Sequence, residues 1–393
     1  MLNKNLIILS LSQIFSFTAA PITVFLSGII GSQISPVKSL STLPMSISVV
    51  GIAVGAIFAT KLMSLIGRKA GFIFASLGNS LVSLLAAYSI MEQNFILFCF
   101  TNFFLGVGMA FTHQYRFAAA ESVEKDKIPK AISIILLGGI ISAFIGPGIA
   151  NYSKDIVSDQ LYVGSYISLS ILMFIPAILF LFYENILKLK TEIKYSGRSY
   201  LELISQPKFL QAMIASAFGY AIMTFLMTAT PLSMHVMEKM SLDKTSMVIQ
   251  FHVASMFLPS LLTGHLIKKI GHSLVMYAGI FLYSITILIS FFDQTHMNYL
   301  FALIFLGLGW NFLFISGTSL LVLTYKEEEK FKAQGLNDFI VYSIHAIGSL
   351  SAGILIVLTN WKFMNIMCIP LLIIIILTIL RADIHSKKLI KNN

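Results

Sequence analysis

Charge is what this chain has least of: only 11% of its 393 residues are Asp, Glu, Lys or Arg, against about 25% in ordinary soluble domains. A water-facing globule of this size could not be coated with so few polar groups, and disorder is excluded for the same reason. Cysteine is nearly missing as well. Cys99 and Cys368 both sit within apolar runs, which excludes a disulfide scaffold and leaves the small-hydrophobe reading. There is no glycine loop ending in Gly-Lys-Ser/Thr, no His-Glu-x-x-His, no paired Cys-x-x-Cys and no His-rich tract. Direct ATP drive, a metal site and a membrane hydrolase therefore find no support, and no catalytic residue, cofactor or metal is expected. What the chain does have is 57% hydrophobic residues, 32 of them Phe, and a mean hydropathy of +0.86.

Apolar runs fall at roughly 5–30, 39–62, 69–90, 95–117, 129–150, 160–183, 207–234, 244–267, 273–292, 298–324, 333–356 and 363–381. Each approaches or exceeds the ~20 residues a helical span needs, and they are too long and continuous for barrel strands. The first run could be taken for a signal peptide, but it follows a single Lys4, lacks a clear small-residue cleavage site and is longer than a signal core, so it counts as the first helix. With the N-terminus inside, 22 of the 27 basic residues fall on the inner side, and only Lys38, Lys154, Lys239, Lys244 and Lys362 fall outside. Both termini are therefore expected in the cytoplasm. The same loops account for the net charge of +10 without nucleic acid, which is not an expected partner; the lipid bilayer is.

The longest polar interruption, at 184–206, divides the chain into an N-terminal six-helix bundle (1–183) and a C-terminal one (207–393) joined by a cytoplasmic linker. The halves resemble each other. FFLGVGMAF (Phe103–Phe111) reads like IFLGLGWNF (Ile304–Phe312); LMSLIGRKAG around Gly67 reads like HLIKKIGHSL around Gly271; and Lys130–Gly146 aligns without gaps with Lys332–Gly348. Three patches in one order at nearly one offset predict an all-α integral membrane protein of twelve transmembrane helices in two pseudo-symmetric six-helix bundles, with a cavity between them that alternates between the two sides. The paired glycines of LGVG and LGLG suit close helix packing and, equally, gating.

Twelve helices, a six-plus-six repeat, a basic central loop and Gly67-Arg68-Lys69 after the second run together resemble the major facilitator superfamily, over essentially the whole chain. The superfamily's loop pattern has a Gly and an Asp ahead of Gly-Arg-Arg/Lys; Thr60 and Ser64 stand at those places here, and Lys268 replaces the second-half Asp. Where the family commonly has an Arg in the fourth helix, this chain has Asn102. Gly146-Pro147-Gly148 in the fifth run matches the core of the Gly-Pro motif of the superfamily's drug antiporters. The resemblance implies the family fold, conformational roles for Gly67, Arg68, Lys69, Gly146 and Pro147, and a secondary transporter rather than an enzyme.

Ionisable groups inside a span are costly, so each is a candidate for function. In the eleventh run, steps of four and three residues put Asp338, Tyr342 and His345 on one helix face, where they could pass a proton or could serve as a structural latch. Arg116, at the inner end of the fourth run, could snorkel to the interface or meet Asp338 in a gate. Gln13, Thr18, His113, Tyr220, Met227, Gln250, His252, Trp310 and Asn311, with Tyr342 and His345, are the expected lining of the substrate cavity; plain packing is the competing account of the Met and aromatic stripes. Pro21, Pro147, Pro231 and Pro259 are candidate kinks. The expectation is a monomeric secondary active transporter in the bacterial inner membrane, moving a small organic solute with protons by alternating access. A drug or metabolite efflux antiporter and a passive facilitator are the alternatives.

Overall fold

The computed structural model describes residues 3–37, 40, 43–157, 161–185 and 197–392. Residues 186–196 of the polar segment at 184–206, and Lys38, lie outside the described residues. Among the described residues the chain is helical, without strands. Its first half runs α1 (Lys4–Phe17), α2 (Ala19–Ile34), α3 (Leu43–Met91), α4 (Phe95–His113), α5 (Tyr115–Glu121), α6 (Ile128–Ser153) and α7 (Val163–Leu181). After a short α8 (Tyr200–Ser205) come α9 (Pro207–Pro231), α10 (Leu242–Phe257), α11 (Ser260–Ile270), α12 (His272–Ile289) and α13 (His296–Val322). The chain ends with α14 (Lys330–Leu358), α15 (Trp361–Met367) and α16 (Ile369–Asn392).

Nine stretches among the described residues are long and apolar enough to cross a membrane. One of them, the 49-residue α3, holds two spans joined at Gly67, and α6 and α14 are two further helices of 26 and 29 residues. Twelve spans result, at the places the apolar runs predict. Several spans are broken, and proline accounts for three of the breaks. Pro21 and Pro370 each follow an interruption by a few residues and Pro259 lies within one, because proline has no N–H to give the preceding turn and its ring crowds that turn's carbonyl. α9 ends at Pro231 and passes into a single π-type turn, Leu232–Met237; α6 runs on through Pro147. The side chains of Pro147 and Pro231 lie outside the described residues.

The repeat read in the sequence is present in the backbone. Gly67 has φ 83° and ψ 166°, and Gly271, its counterpart, has φ 85° and ψ 165°. Only glycine takes up that conformation without strain, so both turns demand it. The paired glycines of the LGVG and LGLG strings act alike too. A Cβ on Gly106 would lie 2.8 Å from the Ser48 carbonyl carbon of α3, and one on Gly307 would lie 2.7 Å from the His252 carbonyl oxygen of α10. In lipid, where apolar side chains gain little by leaving their surroundings, such backbone approach is a main source of helix association.

The chain forms two compact units. The first comprises Met1–Glu124, Ile134–Tyr195 and Gln334–Tyr342; α3 packs along α4 and α7 around a core that includes Ile22, Leu26, Phe98, Leu105, Met109 and Tyr166. The second comprises Lys125–Ser133, Ser196–Ala333 and Ser343–Asn393, with α13 packed on α9, α10 and α12 and α16 on α9. α6 and α14 are thus each divided between the units.

In the second unit a clamp forms outside the spans. Glu329, 2% exposed, accepts Arg198 Nε at 2.8 Å and the Arg198 backbone N–H at 2.9 Å on Oε1, and Arg198 Nη2 at 2.5 Å and the Lys326 backbone N–H at 2.9 Å on Oε2. The Arg198 guanidinium holds the Glu329 carboxyl down to about 2. A depressed carboxyl contributes stability above its unfolded value and loses it as pH falls towards its folded one. The gap in apparent Tm between the natural protein and Glu329→Gln should accordingly be widest above about pH 4.5 and close as pH approaches 2, read by thermal unfolding in detergent. In the same assay Gly106→Val should cost about 1–3 kcal/mol by overpacking the α3–α4 contact, whereas Gly78→Ala, where a Cβ meets nothing within 4 Å, should be tolerated.

Candidate functional site

One face of α14 assembles the polar centre of the first unit. Residues four apart on a helix lie one above the other, so Gln334, Asp338 and Tyr342 form a column. At its first level Arg68, 4% exposed, is held by both oxygens of Glu121, Nε to Oε2 at 2.7 Å and Nη2 to Oε1 at 2.5 Å, and donates to Gln334 Oε1 at 2.7 Å. Gly335 lies against Thr60; a Cβ there would come 3.2 Å from Thr60 Cβ. Gly67 and Lys69 are tied to the end of the sixth span instead, with the Lys69 N–H donating to Asn185 Oδ1 at 3.0 Å and Lys69 Nζ to the Leu181 carbonyl at 2.6 Å.

The second level is Asp338, 1% exposed, in an ion pair with Arg116, 2% exposed. The Arg116 guanidinium donates to Asp338 Oδ1 and, at 3.3 Å, to the Tyr342 hydroxyl. Gln114 Nε2 donates to Oδ2 at 2.7 Å and Asn337 Nδ2 to Oδ1 at 2.9 Å. Gln114 is free to reach across because it occupies the break between α4 and α5, where its backbone N–H turns back to Phe111. Beneath this level Tyr115 is fixed by Phe72 at 4.7 Å, Phe180 at 5.2 Å and a 3.0 Å hydrogen bond with Ser16. At the third level the rings of Tyr342 and His113 stack, 4.5 Å apart and 26° from parallel, and Phe17 meets His113 edge-on at 6.2 Å.

His345, one turn further along α14, belongs to the second unit, where its ring lies 4.5 Å from that of Tyr220. Gly348 lets the two helices approach: a Cβ on it would sit 3.2 Å from the Ala221 carbonyl oxygen. Tyr220 also meets Trp310 edge-on at 5.4 Å and Phe314 at 5.5 Å, while Trp310 and Phe314 stack at 4.9 Å and 12° and Phe257 closes the far edge at 5.8 Å. Tyr220 and His345 are half-buried, as is Met227 two turns beyond Tyr220; Trp310 is 2% exposed.

The remaining sequence candidates lie elsewhere. Gln13 is buried in α1 beside Gly138, and its Oε1 has no donor among the described residues. Thr18 sits at the α1–α2 break with its hydroxyl on the Phe15 carbonyl, 2.5 Å away, and Gly146 packs against the same break, 3.0 Å from Pro21 by its missing Cβ. Gln250 is exposed on α10. His252 is fully buried with Nδ1 2.7 Å from the Leu303 carbonyl. Asn311 staples the Pro259 break: its Nδ2 donates to the Met256 carbonyl at 2.6 Å and Ser260 Oγ at 2.7 Å, and its Oδ1 accepts from Thr263 at 2.6 Å.

Sequence reasoning missed Gln334 and the Phe257–Phe314 part of the aromatic cluster. Gln334 was within reach, one turn before Asp338 on the same face; the two phenylalanines look like any others in a chain holding 32. Among the described residues no group of His, Cys, Asp or Glu could hold a metal ion.

The family model for the Major Facilitator Superfamily matches residues 6–259 and 248–392. The riboflavin transporter RfnT of Brucella anthropi is 32% identical over 96% of this chain and 95% of its own length. An uncharacterized transporter of the same superfamily, YddS of Bacillus subtilis, is 24% identical over 92% of this chain and 87% of its own. Among solved structures, the human organic anion transporter MFSD10 superimposes with a TM-score of 0.76 at 12% identity, covering 96% of this chain and 99% of that one. A bacterial ferroportin homologue in an outward-facing state reaches 0.75 at 10% identity, covering 97% and 100%.

The Arg116–Asp338 pair carries a direct prediction. Removing one partner of a buried ion pair leaves an uncompensated charge and costs about 3–5 kcal/mol, so Asp338→Asn and Arg116→Met should each lower the unfolding temperature sharply. The double variant should recover much of that loss in a thermal double-mutant cycle; additive losses would show that the two side chains are not coupled.

Proposed function

Because this chain belongs to the Major Facilitator Superfamily and is therefore a multi-pass membrane transporter of a small-molecule substrate, we infer that it carries a flat, partly polar organic solute of the riboflavin type across the bacterial inner membrane. Transport runs by alternating access of a 1–183 half and a 207–393 half joined through 184–206, in a monomer with both termini cytoplasmic. The observation that carries the substrate is the relative in Brucella anthropi, named as a riboflavin transporter and aligned along nearly the whole of both chains. Local chemistry supports it. Tyr220, Trp310, Phe314 and His345 present ring faces and edges within about one ring's width of each other, which suits a planar heterocycle better than a sugar or an ion. The distribution of basic residues supports the orientation.

Proton coupling rests on Asp338. A carboxylate inside a span is held there by Arg116, Gln114 and Asn337, and a proton on it would cancel the charge that retains Arg116. The pair then serves as a gate: ionised it ties α14 to the α4–α5 break, protonated it lets go. Exchange of protons with solvent on the two sides would couple that release to the proton gradient.

Purified protein in liposomes should take up labelled riboflavin, faster with an inward-directed proton gradient, and Asp338→Asn should abolish the gradient's effect. Absence of riboflavin uptake would reject the substrate. Uptake indifferent to collapse of the gradient would reject coupling and favour a passive facilitator.

A further inference from the structure

Trp310 is tightly constrained within the second unit. It is stacked on Phe314, closed off by Phe257 on one side and met edge-on by Tyr220 on another. Its direction is therefore fixed, and so is that of its N–H. That N–H has no acceptor among the described residues, although the side chain is 2% exposed. A buried donor without an acceptor costs free energy, a penalty that a purely packing role would not call for.

The rings beside it point to where an acceptor would come from. Tyr220 and His345 are half-buried near the middle of α9 and α14. A half-buried imidazole at that depth is costly against hydrocarbon and suits polar company. The two rings are 4.5 Å apart and are held in place from behind: Gly348 seats α14 on the Ala221 carbonyl, and Tyr283 donates to the Gly219 carbonyl at 2.7 Å, directly before Tyr220. The second unit thus offers aromatic faces for a ring to lie on and, beside them, one rigid donor.

We propose that Trp310 is a specificity-determining residue that reads the edge of a planar heteroaromatic solute, its Nε1–H donating to a ring carbonyl while Tyr220 and His345 contact the ring face. An indole donates and does not accept, so the cluster selects rings bearing an acceptor over rings of equal width that carry only donors. A site built around one buried hydrogen bond discriminates well against analogues that cannot make it. The inference rests on the flavin reading given above and adds to it which edge of the ring is read, and by which atom.

The test uses the full chain in detergent and follows quenching of flavin fluorescence. The probes are lumiflavin, the three-ring system without its sugar-like tail, and its 2-thio and 4-thio derivatives, in which sulfur, a weak acceptor, replaces one carbonyl oxygen. The natural protein should bind one thio derivative about 5–10-fold more weakly than lumiflavin, the range expected for one hydrogen bond. Trp310→Phe, checked for folding by thermal unfolding, should bind lumiflavin about 5–10-fold more weakly and no longer distinguish the derivatives. Equal binding of all three probes by the natural protein, or full lumiflavin affinity in folded Trp310→Phe, would overturn the proposal while leaving the flavin reading intact. The first comparison decides the matter even where the variant does not fold. Failure of the natural protein to bind any of the three rejects the flavin reading and this inference with it.

Discussion

Arg116 and Asp338 lie within membrane-spanning helices and are almost entirely withdrawn from solvent, a position either could hold only because the other is there. A single charged side chain at mid-span costs about 2.5–3.5 kcal/mol on insertion scales, and an unpaired buried charge costs still more. The pair therefore requires that α14 and the α4–α5 break stay in register, and much of the first unit serves that requirement. Gln114 reaches Asp338 because the helix breaks at its position; Tyr115 is wedged among Phe72, Phe180 and Ser16; Gln334 and Tyr342 extend the contact one turn each way.

Helix packing elsewhere obeys a different constraint. Apolar side chains in lipid have little to gain from one another, so association depends on close backbone approach. Gly106 and Gly307 bring the fourth and tenth spans onto the second and eighth, and Gly348 brings α14 onto α9. This last contact also sets His345 on Tyr220, so a packing glycine positions two of the rings proposed to bind solute. Gly67 and Gly271 show the same economy in the connections, with nearly identical dihedrals at equivalent points of the two halves.

The polar groups of the chain divide between these tasks. Asn311 is spent entirely on the Pro259 break, where proline leaves carbonyls without their usual donors. Arg68 is absorbed by Glu121 and Gln334. The Asp338 carboxylate and the Trp310 indole differ from both: one is the group proposed to take up a proton, and the other has a donor with no partner among the described residues.

Span number, helix breaks at Pro21 and Pro259, the internal repeat and the membership of Asp338 and Tyr342 in one helix face were all legible in the residues, because each depends on local periodicity, on the chemistry of a single residue type or on comparison of one stretch with another. Which residues meet was not. Nothing in the neighbourhood of Asn311 reveals that its amide is occupied by another helix, and the 34 residues between Trp310 and His345 carry no sign that both lie against Tyr220. Partners of Arg116 are more than 220 residues away, and the eleventh span belongs half to one unit and half to the other. Those pairings follow from the crossing of helices set by small residues and broken turns, so they exist only once the chain is packed.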